Sequence, residues 1–106
     1  MIYIGIDPGK NGGIAILSDT IPDVTVRVFS EDELLHICKT FRKTFNEDCK
    51  CVLEKVNAMP GQGVVSMFNF GQNYGFIQGV LKAYEIPYEF QIAIDKSIPF
   101  GEVKVK

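Results

Sequence analysis

Three apolar segments near the N-terminus constrain the fold of this chain most strongly. In residues 2–7 every second residue is isoleucine, which is the period of a β-strand whose two faces differ. Residues 14–17 are continuously apolar and residues 24–29 alternate again, and turns rich in Gly, Asn, Asp and Pro separate the three segments. We therefore predict three antiparallel strands joined by hairpins, with the first strand ending at Asp7.

A capping box marks the start of the first predicted helix. Ser30 and, three residues later, Glu33 can each satisfy a backbone N–H at a helix start, so we predict a helix over residues 31–45. Its buried stripe would consist of Leu34, Cys38, Phe41 and Phe45. Its polar face would carry His36, Lys39, Arg42 and Lys43.

The second half of the chain predicts two more strands and a longer helix. Residues 51–56 form a short apolar run that contains Glu54 and Lys55. A strand that follows a helical crossover runs parallel to the first strand, so we expect these two strands to be parallel. We predict the second helix over residues 64–84 and the last strand over residues 87–94.

Two stripes run along the second predicted helix. One is apolar and aromatic, and it consists of Met67, Phe70, Tyr74, Ile77, Leu81 and Tyr84. The other consists of Gly71, Gly75 and Gly79, and each glycine inside a helix costs about 1 kcal/mol relative to alanine. We therefore expect a close approach of the helix backbone, either to the sheet or to a partner chain. One stripe can meet the sheet and the other can be covered in a homodimer.

The order of these elements, β-β-β-α-β-α-β, predicts an α/β domain with a mixed five-stranded sheet. Three antiparallel strands are followed by parallel strands that helical crossovers join. The 106 residues are the size of one domain. We assign residues 1–94 to this domain and leave residues 95–106 as an unassigned tail.

Composition and charge exclude several classes of protein. The apolar runs are far shorter than the roughly 18 residues of a membrane span, and no signal segment precedes the first strand, so we expect a cytoplasmic protein. A net charge of −2 provides no basic field for non-specific binding of nucleic acid, so any such role must rest on local patches. Three cysteines without zinc spacing predict reduced, packed thiols.

Two carboxylates stand out because each belongs to an apolar strand. The predicted topology places Asp7 and Glu54 near the C-terminal ends of neighbouring parallel strands, which is the edge where open α/β sheets bind ligands. A divalent cation such as Mg²⁺ would compensate two close carboxylates. A structural interpretation is also open. Asp7 would then cap the turn at Pro8–Gly9, while Glu54 would pair with Lys55 or Lys10.

Four segments together resemble one family. In chain order they are IGIDPG at 4–9, GGIA at 12–15, VLEKV at 52–56 and FGQNYG at 70–75. This combination resembles the RuvC-type Holliday-junction resolvases, and most closely their short phage-encoded relatives, within the ribonuclease H-like superfamily. The resemblance covers about residues 2–92 and implies a ribonuclease H-like sheet.

The resemblance also implies a function, which is metal-dependent hydrolysis of DNA phosphodiesters at four-way junctions in recombination and repair. The family's catalytic, metal-binding Asp and Glu carry over to Asp7 and Glu54, with Mg²⁺ or Mn²⁺ as the cofactor. The family acts on branched DNA as a homodimer. Phosphate contacts around the catalytic edge and across the dimer would come from Lys10, Lys39, Arg42, Lys43, Lys55 and Lys82.

The chain departs from the family at its C-terminal end. Family members carry two further acidic ligands in a last helix, and we assign these to no residue of this chain. Residues 95–106 match nothing in the family, so we expect a truncated product, a frameshifted end or a specialised short paralogue. With two of the family's acidic ligands missing, we expect the chain to bind four-way junctions far better than it cuts them. Two alternatives stay open. They are a non-catalytic junction-binding or dimerisation module and an actin/hexokinase-like fragment whose residues 7–13 would bind nucleotide phosphates.

Overall fold

The structure is a computed structural model that describes residues 1–9, 11–55 and 63–92. Its strands are β1 (Ile2–Ile6), β2 (Gly13–Ser18), β3 (Val24–Val28), β4 (Cys49–Lys55) and β5 (Tyr88–Ile92). Its helices are α1 (Glu31–Ile37), which continues into a π-helical segment (Cys38–Thr44), and α2 (Val64–Ala83). The predicted extension of the fourth strand to Val56 and of the last strand to Ile94 lies outside the described residues, as does the tail at 95–106.

The five strands form one mixed sheet in the order β3-β2-β1-β4-β5. The pairs β1–β2 and β2–β3 are antiparallel, and the pairs β1–β4 and β4–β5 are parallel. This arrangement confirms the predicted α/β architecture, including the parallel return after each helical crossover. Asp7, which we predicted as the last residue of the first strand, lies directly after β1.

Both helices pack on the same face of the sheet. Alternate residues of β1 and β4 are buried there, and they meet Leu34 of α1 together with Ile77 and Leu81 of α2 in one core. Full burial of such a side chain contributes about 1.5–3 kcal/mol. The other face of the sheet, hereafter the open face, carries apolar side chains that are exposed in the described part of the chain: Tyr3, Leu17, Val24, Val26 and Val28.

The capping of the first helix follows the sequence, but its length does not. The hydroxyl of Ser30 accepts a hydrogen bond from the N–H of Glu33 at 3.0 Å, which is the Ser30 half of the predicted capping box. The Glu33 carboxylate lies 3.9 Å from Nε of Arg27. The α-helical part then ends at Ile37 instead of continuing to Phe45.

A wider helical turn replaces the predicted continuation. The N–H of Phe45 donates to the carbonyl of Thr40, five residues back, at 3.1 Å, and the hydroxyl of Thr44 donates to the carbonyl of Lys39 at 3.1 Å. A bond over five residues adds one residue to the turn, so the following side chains rotate away from their α-helical positions. Phe45, which we predicted in the buried stripe, is consequently 64% exposed, and Ile37 is buried in the core.

The helix α2 packs through only part of its predicted apolar stripe. Ile77 and Leu81 are buried, but Met67 is 44% exposed among the residues that the structure describes. Neither α2 nor any other helix in the described ranges has the length and apolar character to cross a membrane.

The glycine stripe of α2 does not approach the sheet. A Cβ built at Gly71, Gly75 or Gly79 would have no heavy atom of the described residues within 4 Å. The expectation that these glycines admit the sheet is therefore wrong, since α2 meets the sheet through its opposite side. Close approach of the α2 backbone to a partner chain at these glycines stays a prediction.

The three cysteines are unpaired and buried, as predicted. Burial raises the pKa of the Cys38 thiol and of the Cys51 thiol to about 12, and it also raises the pKa of Cys49. Because the thiolate is the nucleophile, buried and protonated thiols are unreactive.

We predict that an aromatic disulfide reagent at about pH 8 reacts slowly with the native protein and rapidly with all three thiols in urea. As the pH rises from 9 toward 12, Cys38 and Cys51 ionise in the unfolded state first. The unfolded state then binds fewer protons, and the free energy of unfolding falls by up to about 1.4 kcal/mol per thiol and pH unit. Urea unfolding of wild type and of the double variant Cys38→Ala/Cys51→Ala measures this, and an equally steep decline in both would contradict it.

Candidate metal site

The pairing of β1 with β4 brings the two predicted carboxylates to neighbouring positions. Ile6 pairs with Leu53 as the last pair of the parallel register, and the next residue of each chain segment, Asp7 and Glu54, follows that pair at the carboxyl edge of the sheet. Both carboxylate residues are half-buried. Since Ile6 and Leu53 face the helices and side chains alternate along a strand, Asp7 and Glu54 belong to the open face.

The turn after β1 holds the Asp7 side chain. Its Oδ1 atom accepts a hydrogen bond from the N–H of Gly9 at 3.0 Å, and its own N–H donates to the carbonyl of Gly13 at 2.9 Å. The structural role that the sequence left open for Asp7 is therefore present. It is compatible with cation binding, because a carboxylate has two oxygens and about four acceptor positions.

Gly12 is the residue of this turn that tolerates no side chain. Its N–H donates to the carbonyl of Gly9 at 2.9 Å, and its carbonyl accepts from the N–H of Phe29 at 3.1 Å. A Cβ at this position would overlap the carbonyl of Asp7. The glycine-rich hairpin tip therefore packs backbone against backbone, and this packing places the carboxylate.

We predict that Gly12→Ala destabilises the protein by on the order of 2–3 kcal/mol and displaces the Asp7 turn. The matched control is Gly5→Ala in β1, where a Cβ meets nothing within 4 Å and should be neutral or stabilising by about 0.5–1 kcal/mol. Thermal unfolding should separate the two variants by roughly 10 °C or more. Equal melting temperatures would contradict the assigned role of Gly12.

Two consecutive residues of α2 contact the ends of both carboxylate-bearing strands. The hydroxyl of Tyr74 donates to the backbone carbonyl of Glu54 at 3.2 Å, and the amide of Asn73 donates to the carbonyl of Pro8 at 3.5 Å. Neither contact was predicted from the sequence, in which Tyr74 belongs to the apolar stripe and Asn73 has no assigned role. The segment FGQNYG, which contains both residues, was the signal that could have revealed them.

The ring of Tyr74 is held in place by aromatic neighbours on both sides. It stacks on Phe70 with a centroid distance of 5.8 Å and meets Phe90 of β5 at 6.0 Å. Tyr88 extends the group by an edge contact to Phe90 at 5.8 Å. These rings join α2 to β5 and fix the direction of the Tyr74 hydroxyl.

The donor set at this edge consists of oxygen atoms. Within residues 1–9, 11–55 and 63–92, no group of three or more His, Cys, Asp or Glu side chains is placed to hold a metal ion. The candidate site is therefore the pair Asp7 and Glu54. Carboxylate oxygens suit Mg²⁺ and Mn²⁺, which keep several waters when few protein ligands are present.

The structure separates the predicted phosphate-binding residues into two groups. Lys55 is exposed and follows Glu54 at the carboxyl edge, and Lys10 lies outside the described residues. The other four occupy the opposite end of the sheet, and they are Lys39, Arg42, Lys43 and Lys82. The reason is topological, because α1 with its π-helical extension and α2 both run back from the carboxyl edge before the next parallel strand begins.

At that opposite end, Arg42 of the π-helical segment contacts residues that follow both helical segments. Arg42 donates from Nη1 to Oδ1 of Asn46 at 3.0 Å and lies 3.8 Å from a carboxylate oxygen of Glu85 through Nη2. Arg42 is therefore partly engaged in the structure of its own chain. Within one chain these four cations do not surround the carboxylates, and their predicted phosphate contacts across a dimer stay a prediction.

Comparison with known proteins shows the fold. No family model and no curated protein matches the chain. Solved structures of RuvC from Thermus thermophilus do match it. The complex with Holliday junction substrate has a TM-score of 0.58 at 12% identity, and a second RuvC structure has a TM-score of 0.53 at 12% identity. Each alignment covers 87% of this chain and 64% of the RuvC chain. The fold of this chain is thus similar to that of RuvC, and the chain spans 64% of the length of these neighbours.

Proposed function

We propose that this chain binds four-way DNA junctions and uses Asp7 and Glu54 to hold a divalent cation for the hydrolysis of DNA phosphodiesters. The observation that carries the proposal is the β1–β4 register, whose last pair, Ile6 and Leu53, directly precedes Asp7 and Glu54. The fold is similar to that of a RuvC that was solved in complex with Holliday junction substrate. The cofactor would be Mg²⁺ or Mn²⁺.

Each residue at this site has a distinct role in the proposed reaction. When bound, the cation supplies Lewis-acid stabilisation of the charge that develops at the scissile phosphate. Asp7 and Glu54 provide its oxygen ligands, and the N–H of Gly9 orients the Asp7 carboxylate through Oδ1. Within the described part of the chain, the open face would give DNA access to both carboxylates, because α1 and α2 pack on the other side of the sheet.

Two carboxylates are a sparse ligand set for this chemistry. In-line attack requires cations that stabilise both the entering and the leaving oxygen, and a displacement of about 1 Å at the reacting centre can cost roughly a hundredfold in rate. We therefore propose that binding of a junction by this chain is much stronger than its cleavage activity.

The separation of the cations suits branched DNA. Lys55 follows Glu54 at the carboxyl edge, whereas Lys39, Lys43 and Lys82 lie at the other end of the sheet. A four-way junction presents phosphates in several directions, so the two groups would contact different arms. Contacts with phosphates fix the position of the protein on DNA and carry no sequence information. The chain would therefore recognise the shape of the junction and not its sequence.

We predict that the purified protein binds a labelled four-way junction at least about tenfold more tightly than a duplex of the same sequence. Each phosphate contact makes the slope of log K against log salt steeper by about 0.9. Loss of one contact in Lys55→Ala should therefore make this slope shallower by about 0.9. Gel-shift titration at several salt concentrations measures both quantities. Equal affinity for junction and duplex would overturn the proposal.

The same junction in Mg²⁺ or Mn²⁺ tests cleavage. We expect slow nicking that Asp7→Asn abolishes, while this variant still binds the junction. Rapid, paired nicking that is lost in Asp7→Asn would establish a complete nuclease and would show that the expected weak activity is wrong. Binding without any nicking dependent on Asp7 would favour the non-catalytic junction-binding module.

We also propose that the chain forms a homodimer through α2. The exposed side of this helix repeats at i, i+4, i+7 and i+11 and is apolar or small; it consists of Val64, Phe68, Gly71 and Gly75. The open space at the glycines would let a second helix approach closely, and an isologous pairing would cover the apolar side chains of both copies.

We predict that Phe68→Ser yields a monomer, whereas Val26→Ser on the open face leaves the dimer intact. Phe68 and Val26 are matched controls because they are 64% and 71% exposed. Gly75→Ala should also weaken the dimer while it stabilises the folded monomer by about 1 kcal/mol. Sedimentation velocity measures the mass. A wild-type monomer at high concentration would refute the dimer, and dissociation by Val26→Ser alone would move the interface to the sheet.

A further inference from the structure

We propose that Asn73 and Tyr74 are positioning residues that set the separation of the two carboxylates. Through these consecutive residues, α2 holds the end of each carboxylate-bearing strand. This inference rests on the proposed function, because it concerns how the cation site formed by Asp7 and Glu54 is kept in shape.

The Tyr74 contact fixes the Glu54 side of the site. Its hydroxyl donates to the carbonyl of Glu54 itself at 3.2 Å, so it restrains the peptide plane that follows the Glu54 Cα. The ring stacks on Phe70 and meets Phe90, and these contacts prevent it from swinging away. The hydrogen bond therefore transmits the position of α2 to the backbone from which the Glu54 carboxylate extends.

The Asn73 contact acts on the Asp7 side through the turn. Its amide reaches the carbonyl of Pro8 at 3.5 Å, and Pro8 is buried. The next residue is Gly9, whose N–H holds Oδ1 of Asp7. Restraint of the Pro8–Gly9 peptide thus restrains the group that orients the Asp7 carboxylate.

The spacing of the two contacts matches the spacing of the strands. Neighbouring strands lie about 4.8 Å apart, and consecutive Cα atoms of a helix lie about 3.8 Å apart. Two adjacent residues of one rigid helix can therefore hold two adjacent strand ends at a fixed distance. A change in either contact would let one carboxylate move relative to the other.

Cation binding makes this distance important. Two carboxylates repel each other by roughly 1–4 kcal/mol at about 4 Å in surroundings between water and a protein surface, which favours a wider separation in the absence of a cation. Mg²⁺ demands near-ideal octahedral geometry. Loss of outer contacts that orient metal ligands typically lowers metal affinity by about 10–100-fold, and we expect an effect of this size here.

The test measures Mn²⁺ binding by the full chain, from the electron paramagnetic resonance signal of free Mn²⁺. Tyr74→Phe keeps the ring contacts and removes only the hydroxyl, and it should weaken Mn²⁺ binding about 10–100-fold. The matched control is Tyr88→Phe, which removes a comparable hydroxyl bond, to Oε1 of Gln78 at 3.1 Å, away from the carboxylates. It should leave Mn²⁺ affinity unchanged.

Asn73→Ala is tested against Gln72→Ala, whose exposed side chain lies one position earlier on the same helix. In the metal-free protein, Asn73→Ala should shift the amide resonance of Gly9 and speed its hydrogen exchange, while Gln72→Ala should not. This second readout needs no cation, so it reports on the Asp7 turn directly.

The outcomes separate the two proposals. If wild type shows no Mn²⁺ binding that depends on Asp7, the cation site is wrong, and with it the positioning role. If wild type binds Mn²⁺ and Tyr74→Phe binds it equally well, the positioning role alone is overturned. The positioning role is likewise overturned if Tyr74→Phe and Tyr88→Phe lose equal affinity, or if Asn73→Ala leaves Gly9 unchanged.

Discussion

The parallel pairing of β1 with β4 is the constraint on which the rest of the structure depends. Residues 2–6 pair with residues 49–53, and the alternate residues of both strands form the centre of the core. A slip of one residue would turn every side chain of one strand to the other face. It would also separate Asp7 from Glu54. The hydrophobic core and the candidate site are therefore specified by the same register.

This pairing also determines what lies at each end of the sheet. A parallel strand can be reached only by a crossover, so the helical segments must return to the end opposite the carboxylates. That end is closed by left-handed residues, Asn46 with φ 51° and Glu85 with φ 57°, and Arg42 contacts both of them. The separation of the basic residues from the acidic pair follows from the topology.

Local patterns in the sequence predicted most of the fold and both carboxylates. The period of two in β1 and the capping box at Ser30 depend on neighbouring residues, so the sequence reveals them. The π-helical turn depends on bonds such as Thr44 to Lys39, and an assumed period of 3.6 therefore misplaced Phe45. Tyr74 was missed for a related reason. Periodicity identified its apolar ring, but the partner of its hydroxyl is a backbone carbonyl of another strand.

Anchoring and access at the candidate site come from opposite sides of the sheet. Asp7 and Glu54 belong to the open face, whereas Asn73 and Tyr74 of α2 reach their strand ends from the helical side. A residue that held the carboxylates from the open face would cover them on the side that the helices leave accessible. Because the anchors bind backbone carbonyls, they leave the carboxylate oxygens of both residues to other partners. The backbone of the two strand ends is therefore held from the helical side, while the carboxylates extend on the open face.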